Sequence, residues 1–575
     1  MISVDACWDI ECAEWDRFLV GALWTRADGM RVFRDADQLV DAILALPVGA
    51  QVWAHGGGRY DTLWLLDRLA LRGEVPDAQV FMSGSSASSI RFRRGPILRD
   101  SSRLIPMTLA QAALFAGPAR EKSPTGLDCI CAHRCGGYCA MRINMAPTAW
   151  ASVEQYLVSD VELLRDVLEG LVAYCDESSI DLRGTLGGSA WATAQRWCGV
   201  PAATWDSRVY DRVIEGYYGG RVEVGRVEAP TIERYDRRAA YPAGLLEPLP
   251  IGEPVLLDAR RAALAWARAR PGVYRATVRV PEQLAPPLPV RVRERIAYPH
   301  GTITGAWSHA ELRYALEVAG CALVRWGEAV AWAEERADLA PYALETFELR
   351  EHAPSPAHER WLKLLANALP GKLGQGAEWP VVRLGDLSGD RAWSQVGRSP
   401  WVWSRVTWRI AESAHVHWAA TITARARVEL HEQIAHAGSA WVYSDTDSVV
   451  STDLLSRGLG EGLGEWSYDG AGSDWRARAP KCYAYSAASG ELVAHAAGIP
   501  GQLGGARWDQ LAAGKPVTYD QGVESLLGAA RRGGALFRRR ANKYRLAPLG
   551  SWVGARLLDG VTTRAPSVRD CANLP

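Results

Sequence analysis

The hexapeptide Tyr443-Ser-Asp-Thr-Asp-Ser448 constrains this chain more than any other stretch. It sets two carboxylates, Asp445 and Asp447, at a turn between two short apolar runs, Ala440–Tyr443 and Ser448–Val450. Like charges held that close either sit in solvent or hold a cation. A calcium loop beginning at Asp445 would need Gly at its sixth position and Glu at its twelfth. Val450 and Ser456 stand there, so that loop is excluded. A solvated hairpin tip or a site for another cation remains, and the rest of the chain decides between them.

A chain of 575 residues exceeds what one core supports, so roughly three to five domains are expected. With 48% hydrophobic and 23% charged residues its composition is that of a globular protein. No apolar run approaches the ~18 residues of a membrane span. The first eleven residues carry acids where a secretory signal carries Lys or Arg. A cytoplasmic protein without a membrane partner is expected. Eleven cysteines, an odd and scattered set, do not make a disulfide framework. Four of them cluster as Cys129, Cys131, Cys135 and Cys139, with His133 between. That spacing is compatible with Zn2+, but it lacks paired CxxC knuckles, and reduced thiols on an irregular loop are the alternative.

Net charge is zero, yet residues 525–575 hold ten Lys/Arg against two Asp. Within them Arg538, Arg539, Arg540 and Lys543 alternate with Phe537 and Tyr544, as on a surface that tracks phosphates; an ordinary basic surface is the alternative.

Three acidic fragments stand near the front. Trp8-Asp-Ile-Glu11 reads as a strand, in which Asp9 and Glu11 share a face. Val52–His55 is a β-run that breaks at Gly56-Gly-Gly58, and Asp61 then opens a helix. Tyr156 and Asp160 share one face of a segment whose Leu157, Val161, Leu164 and Leu168 recur at helical spacing. Alone, such acids are more often caps. In the back half, Arg360, Lys363 and Asn367 recur on one helical face, with Trp361, Leu364, Leu365 and Leu369 over the remainder. Pro370 followed by Gly371 should end that helix.

In this order the front fragments resemble the three motifs of the DnaQ-like 3′–5′ exonucleases: DxE, a Tyr/Phe-Asp pair, and YxxxD. The resemblance implies that Asp9, Glu11, Asp61 and Asp160 hold two divalent ions while Tyr156 orients the attacking water. Arg234–Pro242 resembles the DxxSLYP motif of family B DNA polymerases, with Asp236 as its acid and Tyr241-Pro242 closing it. Lys363–Gly371 resembles KxxxNSxYG, Lys481-Cys-Tyr483 resembles KxY, and Glu215–Gly220 resembles the YxGG linker, carrying Tyr217, Gly219 and Gly220. The implied roles follow family B. Asp236 and Asp445 hold two Mg2+ ions, with Mn2+ as a substitute, and Asp447 supports them. Tyr241 lies under the sugar of the incoming nucleotide, and Arg360, Lys363 and Asn367 face its triphosphate. Lys481, with Tyr483 beside it, and the YxGG residues contact DNA.

About 120 residues separate Pro242 from Lys363, room for an insertion, and residues 376–405 alternate like a β-hairpin, Trp379–Arg383 and then Trp401–Trp403. Insertions at these two places resemble the pair found in protein-primed family B polymerases of small linear-genome phages and linear plasmids. The implied fold class is α+β multidomain: an RNase H-like exonuclease domain, then a right-hand polymerase. The implied boundaries are 1–185 exonuclease, 186–247 linker and first part of the palm, and 248–345 insertion 1. The fingers take 346–375, insertion 2 takes 376–405, the second part of the palm 406–515 and the thumb 516–575. The implied partners are template and primer DNA, deoxynucleotides and a terminal protein that contacts insertion 1 and primes synthesis. Insertion 2 would encircle the template for processivity and strand displacement. A monomer in a bacterial host, encoded by a phage or plasmid, is expected.

The chain departs from these patterns in places. Gly57 stands where the exonucleases carry Asn, which bears on proofreading; Ala368 and Pro370 stand where family B carries Ser and Tyr, which bears on base selection. A decayed DNA-binding relative is the non-catalytic alternative. All seven acids are present, which favours the enzyme. A family B polymerase using a nucleic-acid primer, or none, is the narrower alternative.

Overall fold

The computed structural model describes residues 2–13, 17–83, 86–117, 147–499, 503–523, 525–532, 539–544 and 551–574. The Cys129–Cys139 cluster and Arg538 lie outside the described residues. So do the side chains of Arg539, Arg540 and Lys543, whose backbone forms the strand Arg539–Tyr544.

The front unit is built on the strand Ala6–Ala13, whose alternation separates two cores. Trp8 and Ile10 pack with Leu63 and Leu66 of the helix Asp61–Leu71. Cys7, on the opposite face, packs with Leu157, Val161 and Leu164 of the long helix Pro147–Glu177. Asp9 and Glu11 therefore project toward the face that this helix covers. Gln51–Ala54 lies parallel to both Ala6–Ala13 and Ile97–Asp100. The sheet does not stop at its edge strand Ala78–Ser83. The hairpin made by Glu378–Leu384 and Val402–Trp408 adds to it, pairing Val382 with Val80, so that ten strands among the described residues form one sheet. The alternation at 376–405 announced the hairpin but not this docking, which covers an exposed strand edge.

The second sheet has seven strands among the described residues, with Glu228–Arg237 between Ser448–Ser451 and Trp466–Ala479, and Trp441–Asp445 beyond Ser448–Ser451. One face, carrying Tyr235, Val449 and Trp466, packs on Leu430 and Ile434 of the helix Val416–Ala437. The span from 255 to 331 forms its own four-stranded sheet around Tyr274, Trp307 and Leu312.

The helix Pro356–Leu373 starts at Ser355, whose hydroxyl accepts the His358 N–H, and it buries Trp361, Leu365 and Leu369. It does not end at Pro370, as expected, but runs on to Leu373. Proline removes one helical N–H, a cost of about 3 kcal/mol in a helix interior. Here Leu369, Pro370 and Leu373 are all buried, and burial of such side chains at roughly 1.5–3 kcal/mol each offsets that loss. No helix among the described residues is long and apolar enough to cross a membrane.

The helix Val416–Ala437 also carries buried histidines. His431 Nε2 donates to the Ala285 carbonyl at 2.6 Å, so its Nδ1 accepts from the Tyr314 hydroxyl at 2.8 Å. His415, just before the helix, donates to the Pro201 carbonyl and stacks on Trp418 at 4.2 Å. Burial lowers both histidines to about 4. The unfolded chain takes up protons near pH 6.5 that the folded chain refuses. Stability is therefore lost as pH falls from about 6.5 toward 4, each histidine contributing about 1.4 kcal/mol for every pH unit crossed. Melting temperature should fall from pH 7.5 to 5.5, and the fall should shrink in His415→Gln, which keeps a donor for Pro201 without a titrating ring. An equal fall in both proteins would contradict this.

Candidate active site

The cross-strand register places the carboxylates of the second sheet. Asp445 pairs with Ser448, and Ser448 pairs with Asp236. Residues directly opposite one another share a sheet face, so Asp445, Ser448 and Asp236 form one row across three strands. The outer two backbones stand roughly 10 Å apart, within the joint reach of two carboxylate side chains. This row lies on the face away from Val416–Ala437, because Tyr235 and Val449, the neighbours on each strand, are the residues packed there. Asp447 stands in the turn, where its carbonyl accepts the Arg237 N–H at 2.7 Å.

All three acids are half-buried. Burial raises Asp236 to about 6; the Asp447 charge adds to this and Lys363 opposes it. Burial raises Asp447 as well, with Asp445 adding and Lys363 and Lys481 opposing. Lys481 Nζ lies 3.0 Å from Asp445 Oδ1, and the Thr446 hydroxyl donates to the same oxygen at 3.1 Å. Tyr443 donates to Asp445 Oδ2 at 3.3 Å and accepts the Lys481 backbone N–H at 3.0 Å. Behind it the Tyr483 ring stacks on Trp475 at 4.7 Å.

Three non-glycine residues with left-handed backbone surround this row: Ala239 (φ 49°), Thr446 (φ 60°) and Lys481 (φ 58°). Such strain persists only where the surroundings hold it, and it concentrates at functional sites. Ala239 precedes the short helix bearing Tyr241. Burial pushes the Tyr241 phenol up to about 12, and among its charged neighbours are Arg427, Asp447 and Asp445, so it stands beside the row. Lys363 and Asn367 line a cleft with Ala239, Pro242 and Arg350. Arg360 is exposed on the same helix face. Tyr217 lies against the end of that helix, its hydroxyl where a Cβ on Gly374 would fall. Gly219 is exposed and Gly220 abuts Thr446.

A second acidic cluster lies in the front unit. Asp61 opens its helix at the C-terminal end of Gln51–Ala54, and it is buried. Burial pushes its carboxyl well above the usual carboxylate range; Asp9 adds most among the charges, followed by Asp100 and Glu11. Asp160 is buried on the helix that covers this face, and Tyr156 is half-buried one turn before it. Thus the structure groups Asp9, Glu11 and Asp61 electrostatically and sets Asp160 on the element packed over them.

Asp100 was not foreseen. It is buried at the end of Ile97–Asp100, and its Oδ1 accepts N–H groups from Gly56 and Ser102 at 3.0 Å each. It fixes the glycine turn before Asp61. Its sequence context, Asp100-Ser-Ser, reads only as a cap, so nothing in the chain singled it out. At Gly58 an added Cβ would fall 1.9 Å from the Ala87 carbonyl oxygen. Gly58→Ala should therefore displace the Asp61 turn, destabilising the front unit by about 1–3 kcal/mol and depressing any activity of that cluster. Thermal melting of the variant checks this; an unchanged melting temperature would contradict it.

Both clusters present hard oxygen donors without thiolates or imidazoles, which suits Mg2+ or Mn2+. Among the described residues no three His, Cys, Asp or Glu side chains close on one point in ligating geometry. In the second sheet, the Lys481 ammonium stands against Asp445 where a cation would compete. Burial raises Asp61, Asp236 and Asp447 and neighbouring carboxylates add to it; a divalent ion relieves that like-charge part, so the donor set fits one.

Comparison with known proteins bears on the fold. The family model described as DNA polymerase type B, organellar and viral, matches residues 144–379. No curated protein matches the chain. Among solved structures, the ternary complex of phi29 DNA polymerase with primer-template DNA and incoming nucleotides is 14% identical, with a TM-score of 0.72 over 94% of this chain and 100% of that one. An orthorhombic crystal form of phi29 DNA polymerase is 15% identical, with a TM-score of 0.71 over 94% of this chain and 99% of that one. The same enzyme's binary complex with primer-template DNA is 14% identical, with a TM-score of 0.71 over 94% of this chain and 100% of that one.

Proposed function

We propose that this chain, whose residues 144–379 match the type B DNA polymerase model and whose fold is similar to that of the phi29 enzyme, copies a DNA template from a primer end and proofreads with a separate 3′–5′ exonuclease. The observation that carries the reading is the in-register row Asp445–Ser448–Asp236, with Asp447 at its turn and Lys363 acting on both Asp236 and Asp447. Asp236 and Asp445 would hold two Mg2+ ions, with Asp447 supporting them. When bound, the ions neutralise charge on the attacking and leaving oxygens, which is most of what phosphoryl transfer needs. Lys363, Arg360 and Asn367 supply charge and a hydrogen bond to the triphosphate from one helix face. Tyr241, beside the row, would meet the sugar and exclude a 2′-hydroxyl. Lys481 sits where its ammonium can leave Asp445 for a primer phosphate. Tyr217, Gly219 and Gly220 would pass the strand toward the front unit.

In the front unit, Asp9, Glu11, Asp61 and Asp160 would hold the exonuclease metal ions, with Tyr156 orienting water. The hairpin joined to the front sheet supports a closed path around DNA, hence strand displacement, and the four-stranded unit at 255–331 offers a surface for a terminal-protein primer.

Primer extension on a singly primed circle, with Mg2+ and four deoxynucleotides, tests this function. Products longer than the circle are expected. With one nucleotide withheld, synthesis should stop where the template calls for it. Absence of template-dependent incorporation would overturn it.

A further inference from the structure

The linker from Glu215 to Arg221 runs beside the carboxylate row, and none of the described helices or strands includes Tyr217 to Arg221. Backbone carbonyls outside helices and strands lack ladder partners, and here guanidinium groups supply them. Arg291, from the unit inserted between the two parts of the second sheet, donates to the carbonyls of Glu215, at 2.7 Å, and Tyr217. Arg427, on the helix Val416–Ala437, donates from one nitrogen to the carbonyls of Tyr218 and Gly219 at 2.7 and 3.0 Å. Its other two nitrogens each meet an oxygen of Glu311 at 2.7 Å. Glu311 belongs to the inserted unit, on the helix His309–Glu317, and both side chains are 1% exposed.

Beyond these bonds the linker reaches the catalytic turn. The Arg221 carbonyl accepts the Thr446 N–H at 2.7 Å. Gly220 lies so close that an added Cβ would fall 2.6 Å from Thr446 Oγ1. Thr446 is the left-handed residue between Asp445 and Asp447. The chain of contacts runs Glu311, Arg427, linker, Thr446, and ends between the two carboxylates. Glu311 takes the two guanidinium nitrogens that face away from the linker, so the third stays aimed at the linker carbonyls.

We propose that Arg427 and Glu311 are positioning residues for the polymerase site: the pair clamps the linker, and the linker holds the strained Thr446 turn that sets the spacing of Asp445 and Asp447. The inserted unit is then mechanically joined to the catalytic turn. This rests on the polymerase function proposed above.

Removing one partner of a buried pair leaves an uncompensated charge and endangers the fold, whereas replacing both with apolar residues of similar size preserves it. The test is therefore the double variant Glu311→Leu with Arg427→Met, beside Gly220→Ala, which presses on Thr446 and leaves the ion pair intact. Hydrogen exchange of the peptide spanning 443–449, in metal-free protein, should be faster in both variants than in the parent chain. The Mg2+ concentration for half-maximal incorporation should rise about tenfold, and the maximal rate should fall by up to roughly 10²-fold, as small misplacements of reacting groups do. Exonuclease rates on single-stranded DNA should stay at the parental value in the double variant. Parental exchange and a parental Mg2+ midpoint in the double variant would overturn the proposal. If that variant does not fold, the same two parental values in Gly220→Ala would overturn it. If the parent chain itself fails to incorporate nucleotides, the polymerase function fails, and the exchange measurement still decides whether the pair positions the turn.

Discussion

Asp445→Ala should abolish nucleotide incorporation, lowering its rate by about 10³-fold or more, and leave 3′–5′ degradation of single-stranded DNA within about twofold of the parent chain. A 10³-fold loss corresponds to about 4 kcal/mol of transition-state stabilisation, the order expected when one of two carboxylates sharing the metal ions is removed. Asp445 stands at one end of the row and Asp236 at the other, so Ser448 between them offers no substitute carboxylate. Folding should survive. The ion pair lost with Lys481 is half-exposed on the lysine side, and such pairs contribute at most about 1 kcal/mol. Single-nucleotide incorporation and exonuclease assays on the same preparation, with a melting curve, check the three parts. Loss of both activities in folded protein would break the assignment of two sites.

Asp9→Ala should do the reverse, abolishing the exonuclease by a comparable factor and sparing incorporation. It carries a second signature that a merely structural residue would not. Asp9 is the largest charge contribution raising the Asp61 carboxyl. Deleting it relieves a like-charge repulsion at a buried group, so metal-free Asp9→Ala should melt at or above the parental temperature near neutral pH. A lower melting temperature, with exonuclease activity retained, would contradict the placement of Asp9 beside Asp61.

Much of this site was legible in the sequence for one reason: its acids sit within regular elements or at the turns that bound them. A period of two placed Asp9 with Glu11, a spacing of four placed Tyr156 with Asp160, and the turn at Thr446 joined Asp445 to Asp447. The helix face bearing Arg360, Lys363 and Asn367 was read in the same way and lies opposite the buried Trp361 and Leu365. What stayed hidden depends on contacts between segments far apart in the chain. Asp100 went unseen because its bond to Gly56 crosses 44 residues. The hairpin's pairing with Ala78–Ser83 joins segments about three hundred positions apart, and local alternation says nothing about which edge a hairpin will join. Pro370 misled because helix-breaking by proline is a local cost, whereas the burial that overrides it is tertiary.

For one polypeptide to polymerise and proofread as proposed, divalent ions must rest at two separate carboxylate groups, one in each of its large sheets. Replacing Mg2+ with Fe2+ and generating hydroxyl radicals with ascorbate and peroxide cuts a backbone near wherever the metal rests. Fragment masses should map breaks around residues 9–11 and 61, and around 236 and 445–447, with excess Mg2+ protecting both regions. Breaks confined to one region, or scattered without Mg2+ protection at 236 and 445–447, would contradict it.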